Sequence, residues 1–237
     1  MHDARVIKTE QFMELVGSFH GMTTLQLSGT FFIKSHATLA LSGLGATLQH
    51  LTLSGFRQLQ DQHICTILNS MAVIETLCLS DCTSLAKPQL VSPTLRKLDL
   101  SRCIYMSSLS LSMPSLTCLD ASWCSKLPDE ALSQCTGLLS LSLKGCLGLI
   151  EPRLEALSLQ HLDMQLCGRM VSATIVCPML TDLQIAMCNS LLSLSLDLPS
   201  VTELDLSKLA IEDLTLQCTK LLRLSSSPHS GFATSLR

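Results

Sequence analysis

LTCLDASWC, residues 116–124, recurs along the chain in the same form, as LRKLDLSRC at 95–103 and LTDLQIAMC at 180–188. Written L-x-x-L-x-L-x-x-C, the phrase begins at Met22, Leu48, Ile74, Leu95, Leu116, Leu138, Leu159, Leu180, Val201 and Leu221. The steps between starts are 26, 26, 21, 21, 22, 21, 21, 21 and 20 residues. A period this regular marks a repeat array, and it has to be read before anything else in the chain. The closing cysteine is Cys82, Cys103, Cys124, Cys146, Cys167 and Cys188, with Phe56 and Leu209 standing in its place near the ends.

The alternation L-x-L sends its leucines to one face of a strand and the x residues to the other. One such unit is too short to bury its own apolar face. Stacked units share a continuous core, with parallel strands about 4.8 Å apart. The pattern resembles the leucine-rich repeat, with Cys at the inward corner where many such repeats carry Asn. A small residue that tolerates burial suits that corner, and a free Cys meets the requirement.

The remainder of each repeat is also legible. Another apolar residue follows the Cys by three: Leu85, Met106, Leu127, Leu149, Met170 and Leu191. In short repeats a second alternation comes next, as in SSLSLSMP and LLSLSLDLP, which predicts short strands on the convex side. The longer repeats have room for a helix, and DQHICTILNSM at 61–71 is the expected one, with LPDEALSQC at 127–135 adding a single turn. Pro93, Pro114, Pro178 and Pro199 each stand two residues before a phrase and turn the chain toward the next strand. The expected fold is therefore an α/β repeat solenoid. It is a curved leucine-rich-repeat array with a parallel concave sheet and a convex side of short strands or loops plus one or two helices. Residues 1–21 read as a leading helix (TEQFMELVGSFH) and partial repeat, 22–224 as about ten repeats, and 225–237 as a disordered tail.

LSDCTSL, LSRCIYM, SWCSKLPDEAL and CPMLTDLQIAMCNSL resemble the cysteine-containing repeats of F-box/LRR proteins. The 21-residue form with its doubled SLSL is most similar to the plant-type F-box/LRR-repeat protein 15 group. In that family an F-box of three helices recruits a Skp-type adaptor and a cullin ubiquitin ligase, and the repeats present the substrate. About twenty residues precede the first phrase here, too few for an F-box. The resemblance thus implies the substrate-binding half of such an SCF-type system, with the F-box absent from this chain. A scaffold or adaptor without a ubiquitin role is the alternative.

Composition narrows the partners. Leucine supplies about a fifth of the 237 residues, aromatics only 3%. Net charge is -3, so no strong pull toward nucleic acid is expected. No run of eighteen apolar residues offers a membrane span. The twelve cysteines include no C-x-x-C, no Asn-x-Ser/Thr sequon is present, and the first twenty residues do not read as a signal peptide. Reduced thiols in the cytoplasm or nucleus are the expectation. G-x-S-x-G, phosphate-loop, H-E-x-x-H and G-x-G-x-x-G signatures are absent, so neither catalysis nor a cofactor is expected.

The candidate sites follow from the phrase. Its fifth position faces the concave solvent and reads Gln26, Thr52, Cys78, Asp99, Asp120, Ser142, Asp163, Gln184, Asp205 and Ser225. Four Asp in one column form an acidic stripe for a basic protein ligand, or else merely keep the face soluble. The third position, with Lys97, His161 and Arg223, offsets part of that charge. The eighth position carries Trp123, Leu166 and Met187, large apolar groups of the kind that anchor interfaces or tuck over the repeat edge as core. The cysteine ladder reads as buried structural thiols, since stacked equivalents point the same way and do not converge on a disulfide.

Overall fold

The computed structural model describes residue 18, residues 21–28, residues 41–226 and residues 235–236. The expected helix over residues 9–20 lies almost wholly outside them. Each phrase becomes a strand: β1 (Thr24–Ser28), β2 (His50–Ser54), β3 (Thr76–Cys78), β5 (Lys97–Asp99), β7 (Cys118–Asp120), β8 (Ser140–Ser142), β10 (His161–Asp163), β12 (Asp182–Gln184), β14 (Glu203–Leu206) and β16 (Arg223–Ser226). The first eight form one parallel sheet, and β14 pairs with β16 in a separate two-stranded ladder.

Register follows the repeat without a slip. Leu77, Leu98, Leu119, Leu141, Leu162 and Leu183 sit side by side across six strands. All six are buried, while the residues flanking each of them face outward and are half-buried or exposed. A slip by one residue would carry every leucine to solvent, so burial itself holds the register.

The opposite side is built from the second alternation. β4 (Gln89–Val91) pairs with β6 (Ser110–Ser112). Further along, β9 (Arg153–Glu155), β11 (Ser172–Val176), β13 (Ser193–Asp197), β15 (Asp213–Gln217) and β17 (Ser235–Leu236) form a five-stranded parallel sheet. Within the stretch read as a tail, Ser225 and Ser226 thus belong to β16, and Ser235–Leu236 lies beside β15. Two elements replace strands on this side. Helix α1 (Asp61–Ser70) buries Ile64, Ile67 and Leu68, an i, i+3, i+4 face turned to the core. A 3-10 helix (Asp129–Gln134) occupies the place between β6 and β9. Strands stack at about 4.8 Å, whereas a helix with its side chains is about 10 Å across, so these two segments take more room at the back than a strand does.

Both helical segments are stapled to the next repeat by the same device. Asp61 accepts the backbone N–H groups of Ala86 and Lys87 at 3.0 and 2.9 Å. Asp129 accepts those of Ile150 and Glu151 at 3.0 and 2.9 Å. The receiving segments, LAKPQL at 85–90 and LIEPRL at 149–154, share the form L-x-x-P-x-L.

Candidate protein-binding surface

The surface begins with the corner that ends each strand. At the eighth position the backbone is left-handed in seven successive phrases, at Gly55, Asp81, Arg102, Trp123, Gly145, Leu166 and Met187, with φ from 58° to 76°. Five of these are not glycine, and each such residue costs on the order of 1 kcal/mol in that region. A second hydrogen-bond ladder offsets the cost. The N–H of Arg102 donates to Ser122 O at 2.7 Å, that of Trp123 to Lys144 O at 2.6 Å, and that of Leu166 to Ala186 O at 3.1 Å. The bend aims the following cysteine inward.

Those cysteines do more than fill space. The thiols of Cys82, Cys103, Cys124, Cys146, Cys167 and Cys188 donate to the carbonyls of Leu53, Leu79, Leu100, Ala121, Leu143 and Met164 in the preceding repeat, at 3.0–3.3 Å. Each thiol thus adds a bond between repeats to a strand-end carbonyl; those of Leu79, Leu100, Ala121 and Leu143 already accept the N–H groups of Cys82, Cys103, Cys124 and Cys146 at 3.1–3.3 Å. Burial pushes the Cys82 and Cys146 thiols up to about 12, and Cys103 and Cys124 further still. Cys167 is pushed up by its hydrogen bond with Cys188 and by burial, while the same bond holds Cys188 below the ordinary thiol value. All twelve cysteines are free.

The Asp column has a local duty as well. Asp99, Asp120, Asp163 and Asp205 each accept the backbone N–H two residues on, at 2.8–2.9 Å, and so close the strand end. Asp99 also accepts the Cys78 thiol at 3.1 Å, and Ser80 donates to Ser54 beside it. Asp99 and Asp120 are direct register partners, and Ser142 separates Asp120 from Asp163. The first three are half-buried, whereas Asp205, on β14, is exposed. Hydrogen bonds from Ser207 hold the Asp205 carboxyl below its usual value.

The third-position cations are spread along the sheet. Lys97 is exposed between Thr76 and Cys118. His161 lies 3.7 Å from Asp182, and Arg223 lies 3.4 Å from Glu203, so both face carboxylates outside the Asp column. A polar chain absent from the sequence reading ends at the His161–Asp182 pair: Lys144 donates to Gln165, Gln165 to Gln184, and Gln184 to Asp182.

The three apolar eighth-position residues do not form one anchor. Leu166 is half-buried beside exposed Met187, but Gly145 intervenes between them and Trp123. A Cβ on Gly145 would meet the Trp123 ring at 2.5 Å, so the indole lies flat over that glycine. The pair W123/G145 was the available signal for this stacking.

Among the described residues no group of three His, Cys, Asp or Glu is placed to hold a metal, and no helix is long and apolar enough to cross a membrane. Where the 3-10 helix interrupts the back sheet, a cleft of about 390 Å³ opens beside Leu111, Met113, Pro114 and Leu138.

No protein-family profile matches the chain, and no curated protein matches it. Among solved structures it is similar to a chain of the Rad7 and Elc1 complex of yeast, at 14% identity, covering 81% of this chain and 78% of that one, with a TM-score of 0.26. Likeness at that score carries no functional argument. The geometry itself shows a parallel-strand repeat solenoid of the leucine-rich type.

Proposed function

We propose that the chain is a protein-recognition module whose concave sheet takes a partner presenting Lys or Arg side chains. The observation behind this reading is the stacking of Asp99 against Asp120 in one register column, with Asp163 two strands on. Adjacent like charges weaken a sheet, and a cationic ligand group bridging them relieves that repulsion. The role is binding and not catalysis. Following the resemblance of the repeats, the finer reading is substrate recognition for an SCF-type ubiquitin ligase, with the F-box supplied from outside these repeats. Twelve free thiols suit the reducing cytoplasm or nucleus.

The test is affinity capture from the source cell with wild type and an Asp99→Asn/Asp120→Asn/Asp163→Asn variant. Asn keeps the oxygen that closes each strand end and removes only the charge. Capture that falls in the variant and with rising salt supports the concave reading. A folded variant that retains every partner overturns it. Recovery of a Skp-type adaptor and a cullin with the wild type supports the ligase role, and partners recovered without them point to a scaffold.

A further inference from the structure

Three successive corners on one rim carry an exposed apolar patch of a different character. Ile104 and Tyr105 follow the first corner, Trp123 forms the second, and Leu147 follows the third, with exposures of 38%, 53%, 43% and 40%. The chain's only Tyr and only Trp are both here. Contacts link the three corners. Ser125 donates to Ile104 O at 3.3 Å, the Lys126 ammonium sits 4.7 Å above the Tyr105 ring, and the Trp123 indole rests on Gly145. One face of each ring is therefore held, which lowers the entropy lost when a ligand covers the other.

The residues that carry the patch bring cations to the rings. SRCIYMS (101–107), SWCSKL (122–127) and KGCLGL (144–149) contain Arg102, Lys126 and Lys144 and no Asp or Glu. The neighbouring carboxylates are Asp81, at the corner before Arg102, and Asp99 and Asp120, which bond back onto their own corners at the strand ends. Aromatic groups flanked by cations are the composition of an interface hot spot for an anionic ligand.

We propose that this rim is a docking site for an acidic polypeptide segment that inserts an apolar side chain between Tyr105 and Trp123 while its carboxylates meet Arg102 and Lys126. The site lies outside the concave Asp column and takes a ligand of opposite charge, so either surface can fail without the other.

Trp123 reports directly on the patch, because no other Trp contributes to the emission. The experiment selects binders from a random-peptide phage library on the intact chain, then titrates the enriched peptides while Trp123 fluorescence is read. A Lys-rich peptide, poly(U) and phosphatidylserine vesicles serve as comparison probes. The expected outcome is enrichment of acidic peptides bearing Leu, Phe or Trp, with a saturable change in emission. Lys126→Glu and Tyr105→Ser should each weaken binding about tenfold or more. Both side chains are exposed, and thermal melts will confirm that these variants fold. Glu212→Gln, at an exposed position several repeats away, should leave the peptide affinity unchanged. Enrichment of basic or neutral peptides, or affinity indifferent to Lys126→Glu, overturns the proposal. An emission change with poly(U) or vesicles alone overturns it too, and assigns the rim to RNA or to a membrane surface.

Discussion

The inner cysteine ladder and the outer aspartate column each occupy one fixed position of the phrase, Cys in six phrases and Asp in four, and both are hydrogen-bonded to backbone, but they bind different things. Cys124 reaches back to Leu100 O in the preceding repeat, whereas Asp120 accepts Ser122 N–H within its own. The thiol joins repeats; the carboxylate finishes one. The first bond is buried and the second is half in water, so the two columns should differ in how much they hold the array together.

The sharpest way to break the comparison is alkaline pH. The buried thiols ionise in the unfolded chain near the ordinary value of 9.0 but in the folded chain only near 12, as at Cys82, Cys135 and Cys146. Above pH 9 the unfolded state has fewer bound protons, so stability falls as pH rises. The contribution is intact below pH 9 and is lost across the window up to about 12. Each such thiol removes up to about 1.4 kcal/mol per pH unit. Chemical denaturation at stepped pH should show the midpoint collapsing over that range, and a midpoint flat to pH 11 would contradict the buried ladder.

Next in size is the leucine core that both columns flank. Leu119→Ala should cost roughly 2–5 kcal/mol, because a 3%-exposed side chain is removed between two stacked neighbours. Urea unfolding measures it, and a loss below about 1 kcal/mol would mean that the strand is not core.

Cys124→Val keeps the volume and removes the bond between repeats, leaving Leu100 O with the Cys103 N–H alone. The expected loss is about 1–1.5 kcal/mol, that of one buried hydrogen bond. Cys124→Thr, which restores a hydroxyl donor, should recover part of it, and equal losses would show that packing alone matters here.

The smallest effect belongs to the outer column. Asp120→Ala should cost about 0.5–1.5 kcal/mol through the lost strand-end bond. Asp120→Asn should be near neutral or slightly stabilising, since the acceptor stays and repulsion with Asp99 goes. A loss in Asn as large as in Ala would mean that the charge itself holds the corner.

Legibility follows the range of each interaction. The columns through Leu98 and Leu119 could be read from the alternation, and α1 from the extra length of its 26-residue repeat. The back of the fifth repeat was harder. LPDEALSQC carries neither a helix-length face nor a strand alternation, and its 3-10 form depends on Asp129 finding N–H groups in the next repeat. The acidic stripe was visible as a list of residues, but its closure of the strand ends was not. Likewise Ile104, Tyr105 and Lys126 drew no notice, because nothing local shows that two neighbouring corners bring Lys126 over Tyr105.

By itself the sequence determined the period, the parallel pairing and which leucines face inward, because all three follow from burying a two-residue alternation that returns about every 21 residues. Only the tertiary structure decided what the cysteines donate to, why Arg102 and Trp123 hold left-handed corners, and that Trp123 lies on Gly145. Those outcomes depend on partners a full repeat away in the chain. A side chain's own preferences carry no information about a carbonyl or a ring that stacking alone brings within reach.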